Sequence, residues 1–276
     1  MLDLRTILFV LGLLLVFLGL AHIPSLIVDW ATGQTGWLAF AESAFICLFI
    51  GAGLFLSCRG AEERNVGLRE AFILTTSSWV VMPLFAALPF YLSPLHLSFT
   101  DSFFEAMSGL TTTGSTVITG LDAAPQGLLL WRAILQWLGG IGIVVMAVAI
   151  LPFLQVGGMQ LFRMESSEKS DKILPRATQI AGVIGLIYFG LSCACAIAYW
   201  IAGLSFFDAV AHAMTTIATG GFSTSDRSVG GFDSAAVEYI ASLFMLLGSL
   251  PFLLYFQVIR GRPLELWRDR QVQAFS

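Results

Sequence analysis

Six apolar stretches dominate this sequence, and they restrict the chain to folds that exist within a lipid bilayer. They cover residues 4–25, 37–57, 71–92, 128–154, 180–202 and 235–259. A helix needs about 20 apolar residues to cross the hydrocarbon core, where only helices or closed barrels satisfy every backbone group. The composition agrees, because 57% of the residues are hydrophobic and only 12% are charged. The sequence therefore predicts an all-α, polytopic membrane protein with six transmembrane helices, and it gives no indication of a nucleic-acid partner.

A short polar sequence lies between apolar stretches and occurs twice, 107 residues apart. Residues 101–114 align with residues 208–221 without a gap. The identical pairs are Asp101/Asp208, Ala106/Ala213, Met107/Met214, Thr112/Thr219 and Gly114/Gly221. A half-length helix that ends in a threonine/glycine turn is typical of a re-entrant pore loop, which enters the membrane and returns to the same side. The duplication therefore predicts two re-entrant pore half-helices, and it favours ion permeation.

These elements divide the chain into four parts. We predict an amino-terminal transmembrane hairpin at 1–60, a first helix–pore loop–helix repeat at 70–155, a second repeat at 177–260 and a cytoplasmic linker at 261–276. Internal repeats in membrane proteins usually place the functional site at the axis that they share, and we expect the two loops to line it. The first apolar stretch can also be read as a signal peptide, but it lacks a clear small-x-small cleavage site, which favours a retained helix.

The basic residues predict the orientation of the chain. With a cytoplasmic amino terminus, twelve of the fourteen Lys and Arg residues lie on the inner side, and Arg132 and Arg227 lie outside. Inner loops of membrane proteins carry such an excess of positive charge. The excess exists only if the stretch 101–120 returns to the side from which it entered, which supports a re-entrant loop. Both termini are therefore predicted to be cytoplasmic.

Each half-helix is predicted to begin at an aspartate and to attract a cation at its other end. Asp101 and Asp208 are expected as N-caps, whose carboxylates accept hydrogen bonds from N–H groups of the first turn. About ten residues at 1.5 Å each extend roughly 15 Å, so the carboxyl end lies near the middle of the membrane. That end carries a partial negative charge, which favours a cation without any buried full charge.

The residues that follow each half-helix are predicted to form an ion-binding selectivity filter. They are Thr111, Thr112, Thr113, Gly114 and Ser115 in the first copy, and Ala218, Thr219, Gly220, Gly221 and Phe222 in the second. A filter for a weakly hydrated monovalent cation replaces the ion's water with carbonyl oxygens. The backbone that presents them often needs a positive φ, which glycine adopts at little steric cost. A single matched glycine in each loop predicts weaker discrimination between cations. We expect the ion to bind as a substrate through these residues only, without a cofactor.

The remaining polar residues of the apolar stretches do not indicate catalysis. The sequence shows no nucleophile with a nearby base, no metal-ligand spacing and no phosphate loop, so an enzyme is not expected. Glu42 lies deep in a predicted span, where it is either functional or bonded to a neighbouring helix, and the latter is favoured. Glu105 and His212 occupy equivalent positions on the half-helices, where bracing is favoured over a metal site. The small residues of 136–142 and 247–252 permit either close packing or a gating hinge.

Five motifs carry a resemblance to a known family. They are TTTGST at 111–116, QWLGGIG at 136–142, ILPFLQVGGMQ at 150–160, ATGGFST at 218–224 and LPFLLYF at 250–256. Together they resemble the TrkH/KtrB/HKT superfamily of potassium transporters, and its TrkH branch most closely. The resemblance implies potassium uptake across the bacterial inner membrane, with Gly114 and Gly221 as filter residues. It also implies a homodimer and a cytosolic nucleotide-binding regulator of the TrkA type.

The sequence departs from that family in the number of repeats. The family carries four pore-loop repeats around one pore, and this sequence contains two. We expect the chain to be a fragment whose tail at 264–276 leads toward a third repeat, or else to associate with a second copy. Two pore loops form only half of a four-loop ring around a pore, which leaves backbone groups without partners in the membrane. The isolated chain is therefore expected to be inactive as a monomer. The alternative is a non-conducting assembly or regulatory membrane subunit made of a half-pore.

Overall fold

The computed structural model describes residues 4–60, 68–154, 173–262 and 264–275. Within these ranges every regular element is helical and no strand occurs, which confirms the predicted all-α class for this part of the chain. Most of residues 58–70 and 155–176, which hold many of the basic residues counted above, lie outside the described residues, and so does most of the motif at 150–160.

The described chain forms two compact units. Unit 1 contains residues 1–136 and 222–228, and unit 2 contains residues 137–221 and 229–276. The helices of unit 1 are α1 Leu4–Ala21, α2 Ile23–Ala31, α3 Trp37–Ser57, α4 Leu68–Ala86, α5 Leu88–Leu92, α6 Phe99–Leu110 and the first part of α7 Gln126–Leu154. Unit 2 holds the rest of α7, with α8 Ile173–Ile201, α9 Phe206–Ile217, α10 Ala235–Ser249, α11 Phe252–Ile259, α12 Leu264–Arg268 and α13 Arg270–Phe275. Short 3₁₀ turns occur at Leu121–Ala123 and Ser228–Phe232.

In unit 1, α1 and α3 pack so closely that their backbones touch. A Cβ atom added at Gly12 would lie 2.7 Å from the Phe55 nitrogen, and one at Gly51 would lie 2.8 Å from the Val16 nitrogen. In lipid, where apolar burial drives helix association only weakly, such close approach of small residues supplies the packing contacts. The two glycines therefore hold the amino-terminal helices together as a tight pair.

The helix lengths are those expected of a membrane protein, and they give new bounds for the predicted spans. By length and composition, four segments of the described chain can cross a bilayer, namely Leu4–Ala31, Trp37–Ser57, Arg69–Leu92 and Gly182–Ile201. Large apolar side chains such as Phe49 and Leu186, which are 70% and 71% exposed, lie on the outer faces of two of them. The predicted stretch at 128–154 lies within α7, which is one continuous helix of 29 residues.

The sixth predicted stretch, at 235–259, is not one continuous helix. Helix α10 ends at Ser249 and α11 begins at Phe252, and Leu250 between them has an extended backbone with ψ of 146°. Pro251 causes the break, because a proline lacks the N–H that a helix interior needs and its ring restricts the preceding residue to extended conformations. The Tyr255 hydroxyl donates to the Leu247 carbonyl across the break at 2.6 Å.

Candidate functional site

The two predicted half-helices are present and have equal lengths. Helix α6 spans Phe99–Leu110 and α9 spans Phe206–Ile217, with 12 residues each and the same offset of 107 between their ends. At 1.5 Å per residue each extends about 18 Å, roughly half of what a bilayer requires. Helices α6 and α9 are therefore too short to span a membrane. A re-entrant half-helix is expected to be this short.

The predicted N-caps are wrong by three residues. Ser98 and Ser205 cap the two helices, and Asp101 and Asp208 lie in the first turn instead. In α6 the Asp101 N–H donates to the Ser98 hydroxyl at 3.1 Å, and that hydroxyl donates to the Asp101 carboxylate at 2.7 Å. The same two bonds in α9 measure 3.0 and 2.6 Å. A serine fits the capping position, and an acid three residues later, in the first turn, complements the helix dipole.

Both half-helices end in the same backbone turn. The Thr113 N–H donates to the Ser108 carbonyl at 2.9 Å, and the Thr112 N–H donates to the Gly109 carbonyl at 2.9 Å. This pair of bonds is a Schellman motif, which needs a left-handed residue just after the helix. The second loop repeats both bonds, from Gly220 to Thr215 and from Thr219 to Thr216.

The left-handed residue in each turn is a threonine. Thr112 has φ of 54° and Thr219 has φ of 52°. Such a conformation is a true outlier for a β-branched side chain and costs on the order of 1–3 kcal/mol. In the sequence only the identity of the pair marks these positions, and it does not predict a left-handed conformation, because glycine normally occupies this place in the turn. The same strained conformation occurs at both equivalent positions, so it is a shared feature of the two loops.

The matched glycines behave as predicted. Gly114 has φ of 79° and Gly221 has φ of 82°, which is the left-handed region that favours glycine. Each glycine follows its left-handed threonine by two residues, so the two loops share a pattern of backbone reversals. Both glycines therefore have the positive φ that the sequence analysis expects for them.

The loops leave a run of carbonyl oxygens available for a ligand. Among the hydrogen bonds of the described residues, none ends on a backbone carbonyl of residues 111–114 or 218–221. Thr113, Thr219 and Gly221 are exposed. The Ser115 carbonyl differs, because it accepts from the Ser108 hydroxyl at 2.6 Å. Free carbonyl oxygens at the negative end of a helix dipole are suited to binding a dehydrated cation.

A buried ion pair in unit 1 anchors the chain beyond the first loop. The Arg132 Nε lies 2.8 Å from the Glu105 Oε1, and the two side chains are 1% and 0% exposed. Glu105 also accepts from the Thr116 hydroxyl at 2.8 Å and from the Val117 N–H at 3.1 Å. The predicted bracing role of Glu105 is confirmed, and its partners are the residues that leave the loop.

The same face of α7 holds residues 222–228, which follow the second loop and belong to unit 1. Arg132 donates to the Ser223 carbonyl at 2.8 Å, and its guanidinium lies 4.1 Å from the centroid of the Phe222 ring. Gln136, one turn further along α7, accepts from the Phe222 N–H at 3.0 Å. Phe222, predicted as a filter residue, is therefore buried as an anchor just beyond Gly221.

The sequence-based count assigned Arg132 to the outer side of the membrane, and the structure adds that its side chain is buried within the protein. It lies inside α7 and is buried against Glu105, so it does not contribute to the surface charge of a loop. Two features of the sequence point to a buried contact between Arg132 and Glu105. Arg132 and Gln136 are four residues apart and so share one face of the helix, and Glu105 is the only acid in the interior of either half-helix.

In unit 2, two glycines pack against the end of α9. A Cβ atom at Gly248 would lie 2.6 Å from the Ile217 carbonyl oxygen, and one at Gly140 would lie 3.1 Å from the Ala218 Cα. For these two positions the packing interpretation is confirmed. The His212 Nδ1 donates to the Asp208 carbonyl at 2.8 Å, and its ring meets Phe232 edge-on at 5.0 Å, so it braces α9.

Glu42 does not form the expected bond to a neighbouring helix. Its side chain is exposed and lines a groove of about 730 Å³ together with Tyr91, Ser93 and His96. No hydrogen bond or ion pair of Glu42 is present among the residues that the structure describes. Among the same residues, no group of three or more His, Cys, Asp or Glu side chains is placed to hold a metal ion.

The described chain thus contains two 12-residue helices, each ending in a threonine/glycine turn, and four segments that are long and apolar enough to cross a bilayer, a combination typical of membrane proteins. Residues 38–274 match the TrkH family, whose description is "Cation transport protein". The chain belongs to the TrkH family.

Relatives and a solved structure agree with this assignment. TrkI, a Trk system potassium uptake protein of Halomonas elongata, is 46% identical over 97% of this chain and 54% of its own length. TrkH of Escherichia coli K12 is 43% identical over 98% of this chain and 57% of its own length. The crystal structure of the potassium transporter TrkH from Vibrio parahaemolyticus matches with a TM-score of 0.89 and 36% identity, over 99% of this chain and 56% of that one. The chain spans about half the length of the curated relatives that it matches.

Proposed function

We propose that this chain contributes two pore loops to a Trk-type potassium uptake transporter of the bacterial inner membrane. The observation that carries the proposal is the pair of matched loops, in which a left-handed threonine and a left-handed glycine follow a capped half-helix. The relatives named above are potassium uptake proteins, and the family transports cations. The description of the family names cation transport and no catalytic activity.

In the proposed mechanism, the loops exchange an ion's water for backbone oxygens. The carbonyl groups of residues 111–114 and 218–221 make no hydrogen bond within the described chain, so they are free to coordinate potassium. The negative ends of α6 and α9 point toward their own loops and lower the energy of a cation there. Because the oxygens are backbone atoms, an ion is favoured without a fixed carboxylate that would bind it too tightly to release.

The transporter as a whole needs more protein than these residues. The relatives are nearly twice as long as the matched region, so we propose that a second half, or a second copy of the chain, completes the set of four loops. We further propose a homodimer in the bilayer and a cytosolic nucleotide-binding regulator of the TrkA type.

A chimaeric transporter tests the proposed function. This chain would replace the matched part of Escherichia coli TrkH, to which it is 43% identical over 276 residues, in a host that lacks its own potassium uptake systems. We expect the chimaera to restore growth at limiting potassium and to take up rubidium, while the chain expressed alone does not. A chimaera that reaches the membrane in normal amounts but takes up no rubidium would refute the proposal and favour a non-conducting subunit.

The proposed orientation is tested separately by chemical labelling. With the native cysteines Cys47, Cys58, Cys193 and Cys195 replaced, a single cysteine at Ser228 should react with an impermeant thiol reagent only from outside. One at Gln273 should react only from the cytoplasmic side, because both termini are proposed to be cytoplasmic. Labelling of both positions from the same side would show that the proposed topology is wrong.

A further inference from the structure

Three polar side chains in the first apolar span take no part in the pore loops. His22, Ser25 and Asp29 are each 0% exposed. Spacings of three and four residues place them on one face of a helix, and we call this row the polar seam. Nothing in the proposed transport mechanism uses them, so their presence in an apolar span needs its own explanation.

Each residue of the seam has a polar atom without a partner. The His22 Nδ1 lies 2.7 Å from the Leu18 carbonyl, so this nitrogen carries the proton and Nε2 is left as an acceptor. The Asp29 Oδ1 accepts from the Gly127 N–H. The His22 Nε2, the Ser25 Oγ and the Asp29 Oδ2 are buried and have no hydrogen-bond partner within the described chain.

An aromatic ring and two glycines surround the ends of the seam. The His22 ring stacks on the Trp131 ring at 4.1 Å between centroids, which closes one end. At the other end, a Cβ atom added at Gly36 or at Gly127 would lie 2.5 Å from an atom of the Asp29 carboxyl group. Glycine at both positions therefore makes room for that carboxyl group.

The chemistry of these atoms identifies the ligand. Two of them, Nε2 and Oδ2, are acceptors, and the Ser25 hydroxyl can both donate and accept. Leaving each one unpaired costs about 1–3 kcal/mol, so a donor must be supplied. One imidazole and one carboxylate are too few for a zinc site, which takes three or four protein ligands. A water molecule supplies two donors and typically makes about three hydrogen bonds in a protein interior.

We infer that the polar seam is a binding site for ordered water, and that these water molecules bridge Asp29 to His22 through the Ser25 hydroxyl. The seam joins α2 to the start of α7, since Asp29 bonds to Gly127 and His22 packs on Trp131. Trp131 immediately precedes Arg132 in α7, so the bound water supports the helix that carries the buried ion pair. The inference does not depend on the proposed function.

Radiolytic footprinting tests the water site, because radicals formed from bound water oxidise the side chains beside it even where bulk solvent is excluded. The protein would be held in lipid nanodiscs in ¹⁸O-labelled water and exposed to X-rays. We expect labelled oxygen in His22 and Trp131 although both are 0% exposed, and none in Phe90, which is equally buried but makes no ring contact with His22 or Trp131 in the described chain. Oxidation of His22 and Trp131 that does not exceed that of Phe90 would overturn the inference.

Two serine variants sharpen this test. Ser25→Val removes the central hydroxyl and fills its space, so we expect the oxidation of Trp131 to be lost. Ser43→Val is the matched control, because Ser43 is also 0% exposed but its hydroxyl already donates to the Ala39 carbonyl at 2.7 Å. Unchanged oxidation of Trp131 in a folded Ser25→Val variant would also overturn the inference. The wild-type comparison with Phe90 decides the question if that variant does not fold.

Discussion

Replacing Gly114 or Gly221 by aspartate is expected to abolish potassium uptake or to change the discrimination between potassium and sodium. The two glycines have φ of 79° and 82°, and any residue with a Cβ pays a penalty of about 1–2 kcal/mol there. Space is not the reason at Gly221, because a Cβ atom at that position would meet nothing within 4 Å. The backbone would instead rotate away from the conformation that presents the carbonyl oxygens, and the added carboxylate would bind the ion tightly.

Rubidium uptake with and without competing sodium measures this effect in the four-repeat chimaera. Gly221→Ala separates the backbone effect from the added charge. The matched control is Gly33→Asp, because Gly33 also has a positive φ, of 71°, and open space around its Cβ, but lies in the turn between α2 and α3. That control should retain uptake. Normal rubidium uptake with unchanged exclusion of sodium in both loop variants would remove these glycines from the filter.

Neutralising one partner of the Glu105–Arg132 pair is expected to have the second large effect. Either Glu105→Gln or Arg132→Gln leaves one charge buried without compensation, which costs about 3–5 kcal/mol. Glu105 also holds Thr116 and Val117, and Arg132 also holds Ser223, so residues beyond both loops lose their anchors. We expect a large fall in thermal stability and a loss of selective uptake.

A double variant separates the two consequences. In the double variant, Glu105→Gln with Arg132→Gln, neither charge of the pair remains. We therefore expect part of the thermal stability lost in the single variants to return, while selective uptake stays lost. Glu42→Gln serves as the control, since Glu42 lies in a helix long enough to cross the bilayer but is exposed and makes no ion pair in the described chain. Single variants that keep full stability and normal selectivity would show that the ion pair has no role in positioning the loops.

Local signals explain which parts of the loops could be predicted. The positions of both half-helices and the positive φ of Gly114 and Gly221 follow from short-range sequence patterns, and the structure has both. The caps were also within reach, because Ser98 and Ser205 each precede an aspartate by three residues, the usual spacing of a capping box. Serine and aspartate both suit an N-cap, so residue type alone does not distinguish between them.

Two other features could not be read from local patterns. The left-handed conformation of Thr112 and Thr219 opposes the intrinsic preference of threonine, so only the surrounding structure can impose it. The break at Pro251 did not follow from the apolar composition of 235–259, because that composition is compatible with two helices as well as with one. In each case the sequence recorded the composition of the segment but not the conformation of its backbone.

The sequence by itself determined the class of this protein, namely an all-α membrane chain with two equivalent half-helix loops, because hydropathy and repetition are properties of the chain alone. The tertiary structure decided which buried polar groups meet. Glu105 and Arg132 are 27 residues apart and Arg132 and Ser223 are 91 apart, and no spacing rule links residues at such distances. A buried charge must find a partner in the folded chain, and the packing of α6, α7 and residues 222–228 determined which residues became those partners.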